Sequence, residues 1–372
     1  MINLGIYCPR WMLANHNTDY KIVKTFNRLP QFVDVNTAFV ACSAYTIDVN
    51  LNRIIARLTG KSKVSIQHGL LKGHADTDII YHYGNPVFPE LFYRKMGDKP
   101  VIVTTGFMTD QYVAEEFGTC YNRQKEADEL ASIVDKASMI HFHTEGGRDR
   151  FLYYQPDFKE KTIAIPFFLP NLPKFENLKK AQRHTQEVIR ILFVGYEGYR
   201  KGLAEVIEAL DLLGEEYLSS FNVEVTIVSK NKPEPKTSFP LIWHKKLSPD
   251  HIIRLMQNAS IFVLVPKRES YGLVLLEAMM AGCAIVADHD DTRTEILGNA
   301  GVLLKSTVPA SIAAALRTLI EDHSFREVLG KEATARAKKK FHPNEVALQY
   351  ENCFKDIMKE SRANQVHFTA AS

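Results

Sequence analysis

Residues 260–290 read SIFVLVPKRESYGLVLLEAMMAGCAIVADHD, and their order of apolar and polar positions decides the fold. SIFVLVPK (260–267) is a short, almost wholly apolar run of the kind that forms a strand covered on both faces. Arg268 and Glu269 make a polar turn, and Ser270 is a candidate N-cap for a helix running from Tyr271 to Gly282. AIVADHD (284–290) is a second apolar run. Strand, helix and strand in so few residues define a βαβ unit, whose two strands must be parallel. The same alternation extends in both directions. Strand-like runs fall at 188–196, 222–230 and 240–247, with helical patterns at 203–218, 248–259 and 292–298. The expectation for this half is a doubly wound α/β sheet.

The first half alternates less regularly. INLGIYC, TAFVACSA, KVSIQHG, DIIYHYG, PVIVTTG and SMIHFH each have strand character, and residues 51–59 and 123–134 have helical patterns. Pro166, Pro170 and Pro173 precede an aperiodic charged run, which is the composition of a linker. The boundary is therefore placed between an N-terminal domain, 1–172, and a C-terminal domain, 173–342. Two long helical patterns close the chain, at 309–341 and from about 343 to the end.

Composition narrows the classes of function. The chain has 372 residues, 45% hydrophobic and 24% charged, which is the balance of a two-domain globular protein. A formal net charge of +3 gives no bulk electrostatic case for nucleic acid. The five cysteines are widely spaced and include no CxxC pair, as expected for reduced thiols and not for a disulfide framework or zinc site. No apolar stretch reaches the roughly 18 residues that span a bilayer. MINLGIYCPRW lacks the charged and long apolar regions of a secretory signal, so a cytoplasmic location is expected.

In open α/β sheets ligands bind beyond the carboxyl ends of the strands. Two such ends in the second half are unusual. In FVGYEGYRKGLAEVIEAL a strand ends at Gly195 and a helix begins near Gly202, with Gly195, Gly198 and Gly202 permitting close backbone approach. Arg200 and Lys201 add two cations where helix amides already favour anions, so a diphosphate is the natural ligand. The spacing is neither GxGxxG nor GxxxxGK[ST], which excludes the dinucleotide and P-loop fingerprints. At the other end Glu269 sits in the turn, and Glu277 lies two turns into the helix, roughly 12 Å further if the rise is helical throughout. A carboxylate accepts hydrogen bonds from paired hydroxyls. One carboxylate for each of two sugars, with the amides of Gly272, Leu273 and Val274 facing phosphate between them, accounts for the spacing. Taken singly, a basic turn is more often solvated and Glu269 more often offsets a helix dipole; the two ends together make the case.

The segments FVG…RKG…EVIEAL and P..ESYGLVLLEAMMAG.AIVA resemble the donor domain of the retaining family 4 glycosyltransferases, of GT-B fold with an E-x7-E motif. KLSPDHIIRLMQNASIFVLVPK and TRTEILGNAGVLL resemble the segments flanking that motif, and DKASMIHFHTEGGRDRF the end of the acceptor domain. The resemblance implies two Rossmann-like domains facing each other across a cleft, with the C-terminal helix crossing back onto the first. It implies retention of anomeric configuration, no metal, and no cofactor beyond the nucleotide-diphosphate sugar as co-substrate. Lys201 and Arg200 would bind the diphosphate beside Gly195 and Tyr196. Glu269 would hold the donor sugar, Glu277 the ribose, and the backbone of Ser270, Tyr271, Gly272 and Leu273 the phosphates. Glu269, Lys201 and Arg200 are thus the expected catalytic residues. Ser229, Lys230 and Lys245 are candidates for the base, and His143 and Thr144 for the acceptor side. The sequence departs from the family where Tyr196 follows the strand glycine, where IYCPRWMLANHN lacks a glycine-rich loop, and at Gly106, where a histidine is usual.

Three other features bear on function. His141 and His143 share a face of the expected strand at a spacing that can hold a metal, but core or cleft histidines fit better without a third ligand. DHDD (288–291) imitates a DxD metal motif and is read as helix-capping carboxylates. Arg53, Arg57, Lys61 and Lys63 form a basic face suited to solvent or to anionic lipid. The leading expectation is a hexosyltransferase using a UDP-sugar such as UDP-glucose, acting on a glycan or lipid-linked acceptor in polysaccharide or glycoconjugate assembly. The alternatives are another GT-B enzyme, a phosphorylase or epimerase, and a degenerate binding protein that kept the fold.

Overall fold

A computed structural model describes residues 2–9, 35–42, 77–83, 89–108, 121–168, 175, 188–232 and 237–370. The expected strand KVSIQHG, the helix at 51–59 with its basic residues, the loop after the first strand and most of the linker lie outside these residues. Among the described residues, those within 2–107, 122–168 and 344–370 form one compact unit, and those within 171–343, with Met108 and Tyr121, form the other.

The first unit contains β1 (Ile2–Pro9), β2 (Val35–Cys42), β3 (Ile79–Tyr83), α1 (Pro89–Met96), β4 (Val101–Thr105), α2 (Arg123–Val134), β5 (Met139–Phe142), α3 (Glu145–Tyr154), a 3-10 turn (Pro156–Lys161) and β6 (Thr162–Ala164). The six strands are parallel in the order β2-β1-β3-β4-β5-β6. β4 is buried along its whole length, as its apolar run demands. α2 starts where Asn122 accepts a hydrogen bond from the Lys125 amide, and it buries Ala127, Leu130 and Val134 at helical spacing. β6, only three residues long, was not among the expected strands.

The second unit contains β7 (Ile189–Val194), α4 (Leu203–Leu213), α5 (Glu215–Ser220), β8 (Val223–Val228), β9 (Ile242–His244), α6 (Pro249–Asn258), β10 (Ile261–Leu264), α7 (Leu273–Ala281), β11 (Ala284–Asp288), α8 (Asp291–Leu297), β12 (Val302–Leu304), α9 (Pro309–Glu321) and α10 (His323–Lys340). Its parallel strands run in the order β12-β11-β10-β7-β8-β9. The chain goes out from β7 through β8 to β9, then returns to β10 on the other side. This is the classical doubly wound arrangement, with its switch point between β7 and β10.

Several sequence expectations need correction. The helical pattern at 203–218 is broken at Gly214, whose φ of +83° and ψ of 154° no L side chain adopts comfortably, so α4 and α5 are separate. The pattern at 309–341 is divided at Asp322, whose carboxylate caps α10 by accepting from the Phe325 amide at 2.8 Å. The helix of the opening stretch starts at Leu273 and not at Tyr271. β12, only three residues long, was not expected.

The last helix, α11 (Pro343–Ala370), packs on the first unit. Tyr350 and Phe354 lie edge-on and near Tyr81, with ring centroids 6.0 and 6.5 Å away. His141 sits among them at 1% exposure. Its Nε2 lies 2.9 Å from the Ile165 carbonyl, which can only accept, so Nε2 carries the proton and Nδ1 accepts from Tyr81 Oη at 2.9 Å, with Thr104 Oγ1 3.2 Å away. Burial lowers its pKa to about 4, which keeps the imidazole neutral.

Candidate active site

The two unusual strand ends found in the sequence meet at the switch point of the second sheet. β7 ends at Val194, and the chain passes through a glycine turn into α4. Gly195 has no side chain because a Cβ there would stand 2.8 Å from the Cβ of Lys201. Gly198 packs against Ser229 Oγ, and Gly202 takes φ +83° with its Cα face against the Val265 carbonyl. This close approach brings the 195–202 turn onto the turn that follows β10.

Glu269 is 9% exposed, and its carboxylate forms an ion pair with Lys201, 68 residues away in sequence. Its other oxygen accepts from its neighbour's amide, Ser270 N, at 3.1 Å. Arg200 straps the same two turns together. Its Nη1 donates to the Arg268 carbonyl at 2.7 Å, its Nε donates to Glu197 at 2.7 Å, and its own carbonyl accepts from Lys267 N at 3.0 Å. The hydrogen bond and charge of Arg200 hold the Glu197 carboxyl below the usual carboxylate range. Arg200 is therefore half engaged as a strap, a role that its position in the sequence did not disclose.

Ser270 is not the cap of the following helix. The N-cap is Gly272, in the left-handed region at φ +95°, and no side chain caps α7; Ser270 is exposed on the turn before it. α4 likewise begins at a left-handed glycine without a side-chain cap. Two helices thus direct N-termini free of capping side chains beyond the carboxyl ends of adjacent strands, which is the arrangement that attracts phosphate. Glu277 is only the fifth residue of α7, so the helical part of its separation from the turn is about 6 Å, not the 12 Å of a fully helical path.

The candidate base residues lie at the ends of the neighbouring strands. Ser229 is buried after β8, its amide donating to the His244 carbonyl at 2.9 Å. Lys230 donates from its amide to the Tyr196 carbonyl at 2.9 Å and holds its ammonium 5.9 Å from the ring centroid of Tyr196, which is 63% exposed. Lys245 is exposed just past β9. In the first unit Thr144 caps α3, accepting from Gly147 N at 3.0 Å. His143 lies one residue beyond β5, stacked on Phe167 with centroids 3.5 Å apart, and not on the strand itself. Of DHDD, Asp290 caps α8 through the Arg293 amide at 2.7 Å, whereas Asp288 ends β11 and is not a cap.

With this geometry established, the fold is identified as GT-B. Sucrose-phosphate synthase from Thermosynechococcus elongatus superposes with a TM-score of 0.71 over 97% of this chain and 100% of its own, at 13% identity. A trehalose-6-phosphate protein from E. coli, bound with UDP-2-fluoro glucose, gives 0.61 over 96% and 99%, at 15% identity. Residues 174–336, which hold both turns, match the family described as glycosyl transferases group 1. A capsular polysaccharide biosynthesis glycosyltransferase of Staphylococcus aureus is 22% identical over 221 residues, 55% of this chain and 57% of that protein. The chain spans about a third to a half of the length of the first curated relatives that it matches. Together these similarities show the GT-B fold and, over residues 174–336, likeness to glycosyl transferases group 1.

Proposed function

We propose that the protein is a retaining glycosyltransferase that moves a hexose from a nucleotide-diphosphate sugar, a UDP-sugar such as UDP-glucose, to a glycan or lipid-linked acceptor. The observation that carries the reading is the meeting of Lys201 with Glu269 at the switch point, between two helix N-termini that no side chain caps. A cation, a carboxylate and two sets of amides suit a ligand with anionic phosphates and neutral hydroxyls. The ammonium of Lys201 has three donors, so it can hold Glu269 and a phosphate oxygen together.

In this account the diphosphate lies against Lys201, the remaining donors of Arg200, and the backbone from Gly272 to Leu273. Glu269 accepts from the sugar hydroxyls and Glu277 from the ribose, while the base lies toward Ser229, Lys230 and Lys245. Departure of the leaving group places negative charge on the β-phosphate, where Lys201 and the amides stabilise it without a metal. Front-face attack, with a departing phosphate oxygen taking the acceptor's proton, gives retention. His143 and Thr144 are the proposed acceptor-side residues. Similarity to a capsular polysaccharide enzyme supports polysaccharide or glycoconjugate assembly as the setting, with the protein cytoplasmic and in peripheral contact with the inner face of the membrane. Among the described residues no helix is long and apolar enough to cross a membrane.

The test is thermal-shift screening with UDP-glucose, GDP-mannose and ADP-glucose, followed by a transfer assay with the donor that stabilises most. Native-state binding raises the melting temperature as ligand concentration exceeds Kd. Stabilisation by one donor and transfer with retained configuration support the proposal. Phosphate-dependent cleavage or isomerisation would replace it with another GT-B chemistry, and no shift with any donor would remove it.

A further inference from the structure

Behind Glu269 lies a buried charge cluster outside the proposed donor contacts. Arg293, the third residue of α8, has only 3% of its side chain exposed. One terminal nitrogen, Nη2, donates to Asp288 Oδ2 at 3.0 Å and to Asp290. The other, Nη1, donates to the backbone carbonyl of Glu269 at 3.0 Å. The guanidinium thus ties the end of β11 and the cap of α8 to the residue that pairs with Lys201.

Stability alone does not explain this cluster. Two carboxylates face one guanidinium, and all three groups are removed from water, which costs more than such pairs commonly return. Nor are the polar atoms fully used: Asp288 Oδ1 and Arg293 Nε have no hydrogen-bond partner among the described residues. Burial pushes the Asp288 carboxyl up to about 6, with the Arg293 charge acting in the opposite direction. A half-satisfied buried network is poorly suited to support a core. A guanidinium is planar, so with one nitrogen held by the two aspartates, the other has little freedom in where it points. It points at the Glu269 carbonyl.

We propose that Arg293 is a positioning residue for donor recognition: braced by Asp288 and Asp290, it holds the Glu269 backbone so that the carboxylate faces the donor sugar. The inference rests on the proposed reading of the site. It predicts a selective defect. Sugar nucleotide and nucleoside diphosphate share the phosphate and base contacts, and only the former uses Glu269. Loosening Glu269 therefore removes the additional affinity conferred by the sugar and leaves the diphosphate affinity in place.

The experiment measures Kd by calorimetry for the best donor of the three-donor screen and for its matching nucleoside diphosphate, with wild type, Arg293→Lys, Glu269→Gln and the double variant. Lysine keeps the charge but not the fork that reaches three partners. In Arg293→Lys the sugar-dependent gain in affinity falls about tenfold, as for loss of one charge-assisted hydrogen bond, while diphosphate Kd stays within about twofold. In the Glu269→Gln background the same substitution has no further effect. An equal loss for both ligands, an additive double variant or an unchanged sugar gain overturns the proposal. Should Arg293→Lys not fold, Asp290→Asn replaces it, since its amide oxygen still caps α8 while the ion pair is weakened. Failure of wild type to bind any of the three donors overturns the reading of the site itself, whereas binding by wild type with an unaltered gain in the variant overturns this inference alone.

Discussion

Gly202→Ala tests whether the two turns of the site are held as closely as described. Gly202 has φ +83°, and a Cβ at this position would lie 2.1 Å from the Val265 carbonyl oxygen and 2.8 Å from the Val265 carbonyl carbon and Cγ2. The left-handed conformation alone costs an alanine about 1–2 kcal/mol. Relief of the clash to 3.0 Å, the shortest separation real Cβ atoms show, requires 3.0 − 2.1 = 0.9 Å of movement by backbone on both sides. Overpacking of this order costs about 1–3 kcal/mol. The sum, about 2–5 kcal/mol, lowers the melting temperature of a unit of this size by roughly 4–20 °C. Gly97→Ala is the internal comparison, because Gly97 also has positive φ, +61°, but nothing within 4 Å of its Cβ. It should lose only the conformational term, about 1–2 kcal/mol. Scanning calorimetry of both variants decides the matter. Melting of Gly202→Ala no lower than Gly97→Ala would refute the packing argument.

The remaining predictions follow from single contacts. Lys201→Ala lowers turnover by about 100- to 1,000-fold, as for removal of one group that stabilises developing charge, with circular dichroism unchanged; Arg200→Ala, which mainly unstraps the turns, lowers it by about tenfold. Thr144→Ala removes the side-chain cap of α3 and costs about 1 kcal/mol, read as a urea midpoint shift. His141 gives a pH dependence of stability. Its folded pKa of about 4 lies below the unfolded value of 6.5, so its contribution is present above 6.5 and is lost as pH falls through 4. Melting curves between pH 7 and 4 should therefore fall more steeply for wild type than for His141→Gln, and parallel curves would show that this buried imidazole does not titrate as described.

The strands were legible because both faces of each sheet are covered, which makes most runs continuously apolar. β10 and β11 appear in the sequence as little else. β6 and β12 escaped notice because three residues at a sheet edge, all only partly buried, carry no such pattern. Gly214 broke a helix whose amphipathic pattern ran straight through it, since periodicity reports a buried face and not a backbone angle. Of the site, Lys201 and Glu269 were found by residue type at strand ends. Their pairing, the strap made by Arg200 and the brace made by Arg293 depend on which strand ends are neighbours. The order β11-β10-β7 supplies that, and no local pattern does. A sequence signal existed for Arg293 only in part: it follows the capping aspartate by three residues, so its amide contact was foreseeable and its guanidinium contacts were not.

The most direct measurement is a crystal structure of the protein with UDP-2-fluoro glucose bound. The proposed site places diphosphate oxygens within hydrogen-bond reach of Lys201 Nζ, a sugar hydroxyl on the Glu269 carboxylate and the ribose at Glu277. Density at any other place, with the Lys201–Glu269 pair undisturbed and no ligand atom near either, would contradict it.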